Sequence, residues 1–516
     1  MRDTAANGTR QAIWARQPEA AWAAILKPAL SVTLVLMALS AIGVTTAFAQ
    51  ESPVDDPVAV VQKAVTDAIA KAESSVVAIA RVRKREKKFD PTGVSIDPSS
   101  TDFIPQHFGA GVVVDPQGLI LTTYHLLGDP EKFDYIVWLN RAPYEVTRIA
   151  AVQQVNAADP WTDLAILKIE AANLTPISFG DADALKKGTF VVALGNPHGI
   201  ARDGKLSASW GIVSNLERKA PTSPPEFRTS EGKETLHHFG TLIQTDAKLP
   251  PGSSGGALIN LQGEMVGLIT SLPPRSEEPT AGGFAIPVDD LFHRVLGELK
   301  EGRSPAFGFL GVSTRELDAN ERRRGEFGAR VDRVVENTPA ARGGLRPMDV
   351  ITHVEGKPVY TRDDLFRELS KLPPDAEPEL AIQRDAFGAQ RGREIFRVVT
   401  LSKKHIDSAR PSFARQQPTP WRGLRIEYVT ALPPGQFFQP QASIINRADA
   451  VGVLDVVRDS PAWKAGFRPG ELITHVGKTA VATPRQFAEA VADRGDAVSL
   501  KVLDSNGEAQ VRVLSP

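Results

Sequence analysis

Between residues 109 and 271 the apolar positions come in short bursts: GAGVVVD, LILTTYHLL, YIVWLN, LAILKIE, FVVALGN, GIVSNL, TLIQTD and ALINLQGEMVGLIT. Turn residues separate them, and almost no helical period lies between. Many short strands at close spacing predict a sandwich or a barrel. Ahead of this region, residues 57–72 place apolar side chains at helical spacing and predict a short amphipathic helix. Residues 75–83 (SVVAIARVR) read as a strand. The stretch 84–107 is charged, rich in Pro and Ser and without a period, so it reads as a long exposed loop. A helical pattern returns at 288–299 and closes the β-rich region. Residues 301–305 form a Gly/Pro-containing link.

The last 210 or so residues hold an internal repeat. DVITHVEGKPVYTRDDLFREL at 349–369 resembles ELITHVGKTAVATPRQFAEAV at 471–491, an offset of 122 residues. Related segments precede each copy, VVENTPAARGGLRPMD at 334–349 and VVRDSPAWKAGFRPGE at 456–471. Self-similarity at so long an offset means tandem copies of one domain. A Pro/Gln/Arg-rich linker at 404–420 separates them.

The N-terminal pattern bears on compartment. Arg2, Arg10, Arg16 and Lys27 precede an uncharged apolar run from Ala29 to about Thr46, which ends in Ala47-Phe48-Ala49 before Gln50. Small residues one and three places before a break suit a signal-peptidase site. A run of this length also just suffices to span a bilayer. Residues 1–49 are thus a signal peptide or an uncleaved anchor, and either way the body of the chain lies across a membrane. Composition narrows the rest. A chain of 516 residues exceeds one hydrophobic core and implies three or four domains. The net charge of −1 gives no basic excess for nucleic acid. With no cysteine there is no disulfide framework, thiolate zinc site or cysteine nucleophile.

Chemistry concentrates in Gly252-Ser253-Ser254-Gly255-Gly256. A nucleophilic serine needs a hydroxyl on a tight turn with backbone N–H groups aimed at the same place, and flanking glycines permit that. His125 ends the strand-like GLILTTYHLL. Asp163 stands before the apolar run LAIL, where a half-buried carboxylate needs a hydrogen-bonding or cationic partner such as an imidazole. The order is His, Asp, Ser, at intervals of 38 and 91 residues. His237 and His238 read as surface residues of a polar loop, not as metal ligands.

These segments resemble the HtrA/DegP family of serine proteases, within the trypsin-like superfamily. GAGVVVDPQGLILTTYHLL is similar to its histidine segment, TDLAILKI to its aspartate segment, ALGNPHGI to the following glycine turn, and IQTDAKLPPGSSGGAL to its serine segment. GGFAIPVDDL at 282–291 resembles its exit from the protease domain. The tandem modules look like PDZ domains. The resemblance implies a mainly β chain, with a trypsin-like double six-stranded β-barrel followed by two α+β PDZ domains. On this reading residues 50–108 hold the N-terminal helix, first strand and long loop, and 109–303 the remainder of the protease domain. Residues 306–403 and 421–516 are the PDZ domains.

The resemblance also implies roles. Ser254 attacks the scissile carbonyl, His125 carries the proton, Asp163 orients the imidazole, and the amides of Gly252 and Ser254 hold the oxyanion. No cofactor or metal is needed. Ser253 and the pair Thr123-Tyr124 depart from asparagine-type residues common in the family. Lys248 stands where trypsin-like folds place the base of the specificity pocket, either snorkelling to solvent or shaping the pocket with Thr270 and Ser271. Phe309, Leu310 and Gly311 in the first PDZ module, and Arg422, Gly423 and Leu424 in the second, correspond to the turn that receives a peptide carboxylate. Leu365, Phe366, Leu369, Phe487 and Val491 are candidate groove residues. Trp421 is bulky for such a turn.

The implied function is ATP-independent cleavage of unfolded or damaged proteins in the periplasm or envelope of a bacterium, with PDZ domains binding peptide C-termini or gating activity. The alternatives are a silent peptide-binding chaperone and an anchored sensor protease with one substrate. The only membrane contact would run through residues 29–46. The resemblance implies a trimer-based homo-oligomer, with residues 51–60, Phe89, Phe103 and Phe108 as candidate contacts.

Overall fold

The computed structural model describes residues 56–84, 105, 107–139, 142–146, 155–201, 203, 205–219, 235–270, 283–384, 393–406, 412–433, 449–504 and 508–516. The N-terminal run 29–46, Phe89, Phe103 and Ser271 lie outside them. None of the described helices is long and apolar enough to cross a membrane.

The amphipathic pattern at 57–72 forms helix α1, Pro57–Ala72. The strands of the first barrel follow: β1 (Val76–Arg83), β2 (His107–Asp115), β3 (Leu119–Thr123), β4 (Phe133–Leu139), β5 (Ala142–Glu145), β6 (Val155–Asp159) and β7 (Leu164–Lys168). Their order in the sheet is β6-β7-β3-β2-β1-β4-β5. Alternation sets which face each residue buries. On β1, Val77 and Ile79 join Val113, Ile120, Val137 and Leu167 in one core, while Ala78, Ala80 and Val82 pack with Ile136 and Trp138 in another.

The second barrel is closed, with six strands: β8 (Phe190–Gly195), β9 (Ser207–Arg218), β10 (Leu242–Thr245), β11 (Ala257–Ile259), β12 (Met265–Thr270) and β13 (Gly283–Pro287). Val191, Ala193, Val213, Ile243, Leu258, Val266, Ile269 and Ala285 share its core. The largest core unites the barrels. Val112, Leu121, Leu164 and Ile166 of the first meet Val192, Leu194, Ala257, Ile259 and Leu268 of the second. Helix α2 (Asp290–Lys300) seals it with Leu291, Phe292, Val295, Leu296 and Leu299, and Asp289 caps its start by accepting from the Phe292 amide.

The two C-terminal modules repeat one topology, as their sequence repeat predicts. Five strands in the order 312–316, 329–334, 350–354, 379–384, 393–398 are matched by 424–428, 451–456, 472–476, 498–503, 509–514. Each carries one longer helix, α3 (Arg362–Ser370) and α4 (Pro484–Val491). The linker expected at 404–420 is more than a tether. Its residues Phe413–Ala414 form a two-residue strand on the edge of β6, and the amides of Arg415 and Gln416 donate to the carbonyls of Asn156 and Gly302. A lone short strand of this kind has no periodic signature; an unpaired barrel edge selects it.

Candidate active site

Strand pairing brings the two barrel-one residues together. Thr123 at the end of β3 pairs with Leu164 at the start of β7, so the residues just beyond each end are neighbours. His125 does not close the strand, as its sequence suggests. It sits in a one-turn helix, Tyr124–Leu127, that follows directly. Backbone bonds lock that turn onto Asp163: the Tyr124 amide donates to the Asp163 carbonyl and the His125 amide to Oδ1, both at 2.9 Å. The ring then has one orientation. Its Nδ1 lies 2.8 Å from Asp163 Oδ2 and its Nε2 lies 3.3 Å from Ser254 Oγ. An ionised carboxylate only accepts, so Nδ1 carries the proton and Nε2 is left as the acceptor facing the hydroxyl.

Asp163 is buried and has left-handed backbone, with φ of 58°. That conformation costs roughly 1–2 kcal/mol for an ordinary L-residue. It persists because its surroundings hold it. The Thr162 amide and hydroxyl both donate to Asp159 Oδ2, at 2.9 and 2.6 Å. The Leu236 amide donates to the Trp161 carbonyl at 3.0 Å. Burial pushes the Asp163 carboxyl up, but the adjacent His125 and its hydrogen bonds outweigh this and hold it below the usual carboxylate range. Burial dominates at Asp159, whose carboxyl is pushed up to about 6 despite the Thr162 bonds.

Ser254 is held by backbone. Its carbonyl accepts from the Ala110 amide at 2.8 Å, and the Gly255 amide donates to the Ile269 carbonyl at 2.8 Å. Gly252 has φ of 99° and Gly255 φ of 83°, conformations suited to glycine. A Cβ on Gly252 would collide with the Asn196 carbonyl oxygen and one on Gly255 with the Ala110 carbonyl oxygen. The Gly252 amide has no acceptor among the described residues. Phe108, considered above as a subunit contact, lies beneath this turn against Gly252 and Gly199.

Other sequence candidates fall elsewhere. Thr270 is fully buried and its hydroxyl donates to Asp163 Oδ2 at 3.3 Å. Lys248 is exposed, and its carbonyl accepts from the Ser209 hydroxyl at 2.8 Å. His237 is no surface residue. It is 3% exposed, in a 3-10 turn (Leu236–Phe239) behind Asp163, while His238 is half-buried and closes a capping box with Thr235. Among the described residues no group of three or more His, Cys, Asp or Glu side chains is placed to hold a metal ion.

In the first module, the Leu310 side chain is buried and the Gly311 carbonyl accepts from the Val335 amide at 3.0 Å. In the second, Arg422 replaces that leucine. Its guanidinium donates to the carbonyls of Leu514, Arg494 and Asp496 at 2.6–2.8 Å. The Leu424 amide is taken by the Trp421 carbonyl at 2.8 Å, and Trp421 packs edge-on against Phe487. Leu365 and Leu369 belong to the first module's core, as do Phe487 and Val491 to the second's. Phe366 stacks on Phe239 of the protease domain, ring centroids 4.9 Å apart.

Two barrels meeting over a His–Asp pair and a serine turn, followed by tandem α+β modules, define a trypsin-like serine endopeptidase with PDZ domains. A trypsin-like peptidase domain model matches residues 109–268, and PDZ domain models match 308–388 and 452–504. The curated "Probable periplasmic serine endoprotease DegP-like" of Pseudomonas fulva (strain 12-X) is 30% identical over 405 residues, 77% of each chain. The protein of the same description from Pseudomonas putida (strain W619) is 30% identical over 412 residues, again 77% of each. A solved structure described as "HtrA-type protease AlgW with decapeptide" shares 25% identity over 66% of this chain and 98% of that one, at a TM-score of 0.46. The chain belongs to the DegP-like family of periplasmic serine endoproteases, which places it in the bacterial periplasm or envelope.

Proposed function

We propose that this endopeptidase degrades unfolded or damaged envelope proteins by acyl-enzyme chemistry, without ATP. Ser254 is the nucleophile and attacks the scissile carbonyl. His125 takes its proton at Nε2 and returns it to the leaving amine. Asp163 fixes the tautomer and stabilises the imidazolium. The amides of Gly252 and Ser254 hold the oxyanion. The observation that carries this reading is the unbroken chain of contacts from Asp163 through His125 to Ser254, at 2.8 and 3.3 Å. It also disfavours a silent scaffold, which has no use for an aligned proton path. Digestion of casein by the purified protein tests it. The wild type is expected to degrade casein and Ser254→Ala to leave it intact; equal inertness under heat and with added peptides would refute the reading.

The first PDZ module is the better candidate for receiving a peptide carboxylate, at Phe309, Leu310 and Gly311. The second engages Arg422 and the Leu424 amide internally. Gating by the first module has a contact to act through: Phe366 on Phe239, with Arg367 donating to the Gly240 carbonyl at 3.2 Å. Copies of the chain associate, in this reading, through exposed apolar side chains at Val58, Val61 and the stacked pair Phe190–Trp210. Residues 1–49 act as a signal peptide released after Ala49. Sedimentation of the purified protein and N-terminal sequencing of the native one check these two points.

A further inference from the structure

The turn before Asp163 is held by a residue outside the triad. His237 Nε2 lies 3.0 Å from the Thr162 carbonyl oxygen, and its Nδ1 lies 2.9 Å from Thr241 Oγ1. A carbonyl only accepts, so Nε2 carries the proton; in the neutral ring Nδ1 then accepts from the Thr241 hydroxyl. Both partners select one neutral tautomer. Burial, which disfavours the charged ring, acts in the same direction and lowers its pKa although Asp163 is near.

The Thr162 carbonyl and the Asp163 amide share one peptide plane. Whatever orients that carbonyl sets φ at Asp163, the residue held at 58°. The Thr162 side chain and amide are tied to Asp159, and the Trp161 carbonyl to the Leu236 amide. The His237 ring supplies the bond on the plane leading into Asp163. We propose that His237 is a positioning residue of the triad: by holding the Thr162 carbonyl it fixes the backbone from which Asp163 reaches His125. This rests on the catalytic reading given above. His237 touches no reacting atom and acts through Asp163. Beside it, Thr162 and His237 border a cavity of about 500 Å³ that extends to Arg367 and Lys371 of the first PDZ module. If the ring donor is removed, water in that cavity can bond the carbonyl, so the chain folds while the peptide plane loosens.

The test compares peptide cleavage by the full protein and three variants. His237→Leu is expected to lower kcat on the order of 10²-fold, as a misplacement of a catalytic group by about 1 Å can, with KM little changed. The acidic limb of its kcat/KM profile moves to lower pH, because an imidazolium with a displaced carboxylate partner is easier to deprotonate. His237→Gln, which can present an N–H to the same carbonyl, recovers most of the rate. Thr241→Val removes the tautomer-selecting hydroxyl and is expected to lower kcat by less; if His237→Leu does not fold, this variant carries the test. Wild-type kcat and an unmoved acidic limb in His237→Leu overturn the proposal. So does His237→Gln as slow as His237→Leu, or unchanged kcat in Thr241→Val. An inert wild type overturns the catalytic reading and this proposal with it, whereas an active wild type beside an unaffected His237→Leu overturns this proposal alone.

Discussion

The two barrels hold their parts of the site by different means. His125 and Asp163, on the first barrel, are fixed largely by carboxylates, hydroxyls and imidazoles: Asp159 and Thr162 of the same barrel and, reaching across from the second, His237 and Thr270. Ser254 is fixed by amides and carbonyls of Ala110, Ser253, Gly255 and Ile269, at a turn where only glycines fit. In the proposed mechanism the difference follows from the chemistry each half performs. A proton carrier needs one tautomer and one charge state, which polar side chains select. An oxyanion needs N–H donors of fixed direction, which only the backbone provides without side-chain freedom.

The contrast can be broken from either half. Asp163→Asn removes the tautomer selection and is expected to lower kcat on the order of 10⁴-fold, the loss typical of such a change in a Ser-His-Asp triad. Steady-state kinetics on a peptide substrate, with KM little changed, checks it. Gly252→Ala attacks the backbone half. Its Cβ meets the Asn196 carbonyl, so the oxyanion donor turns away at a cost of roughly 10²–10³ in kcat. Thr270→Val removes the hydroxyl that crosses between the barrels. A net hydrogen bond of about 1 kcal/mol predicts a loss of about five-fold in kcat.

Asp159→Asn bears on stability more than rate. A carboxyl raised from 3.8 to about 6 binds protons more readily folded than unfolded. Its contribution to stability is therefore fully present below about pH 4 and is lost as pH rises through about 6, by roughly 3 kcal/mol in all. The difference in Tm between wild type and Asp159→Asn, followed from pH 4 to 7, is expected to move against the wild type. A pH-independent difference would contradict the assignment.

His125, Asp163 and Ser254, which the structure brings together, were legible less from their local settings, a glycine run and an acid before LAIL, than from the ordered resemblance of their segments to one family. The strand pattern marked the β-rich region as a sandwich or a barrel, alternation being a local signal, and the resemblance supplied the double barrel. What surrounds Asp163 was not legible. Thr270 lies 107 residues away in sequence and His237 lies 75 from Thr162, and neither has a local mark. The neighbours of His237 are polar enough to read as surface, and only the packing of its 3-10 turn under Asp163 buries it. Phe413–Ala414 was read as linker because two residues show no period. The guanidinium of Arg422 serves distant carbonyls at 494, 496 and 514, contacts with no local mark in the sequence.

The central claim is that His125 and Asp163 activate the hydroxyl of Ser254. A serine-directed fluorophosphonate, followed by peptide mass mapping, measures that activation directly. The expected result is one label per chain on Ser254, greatly slowed in Asp163→Asn and absent in Ser254→Ala. Labelling of a different serine, or an equal rate on Ser254 with Asp163 replaced, would contradict it.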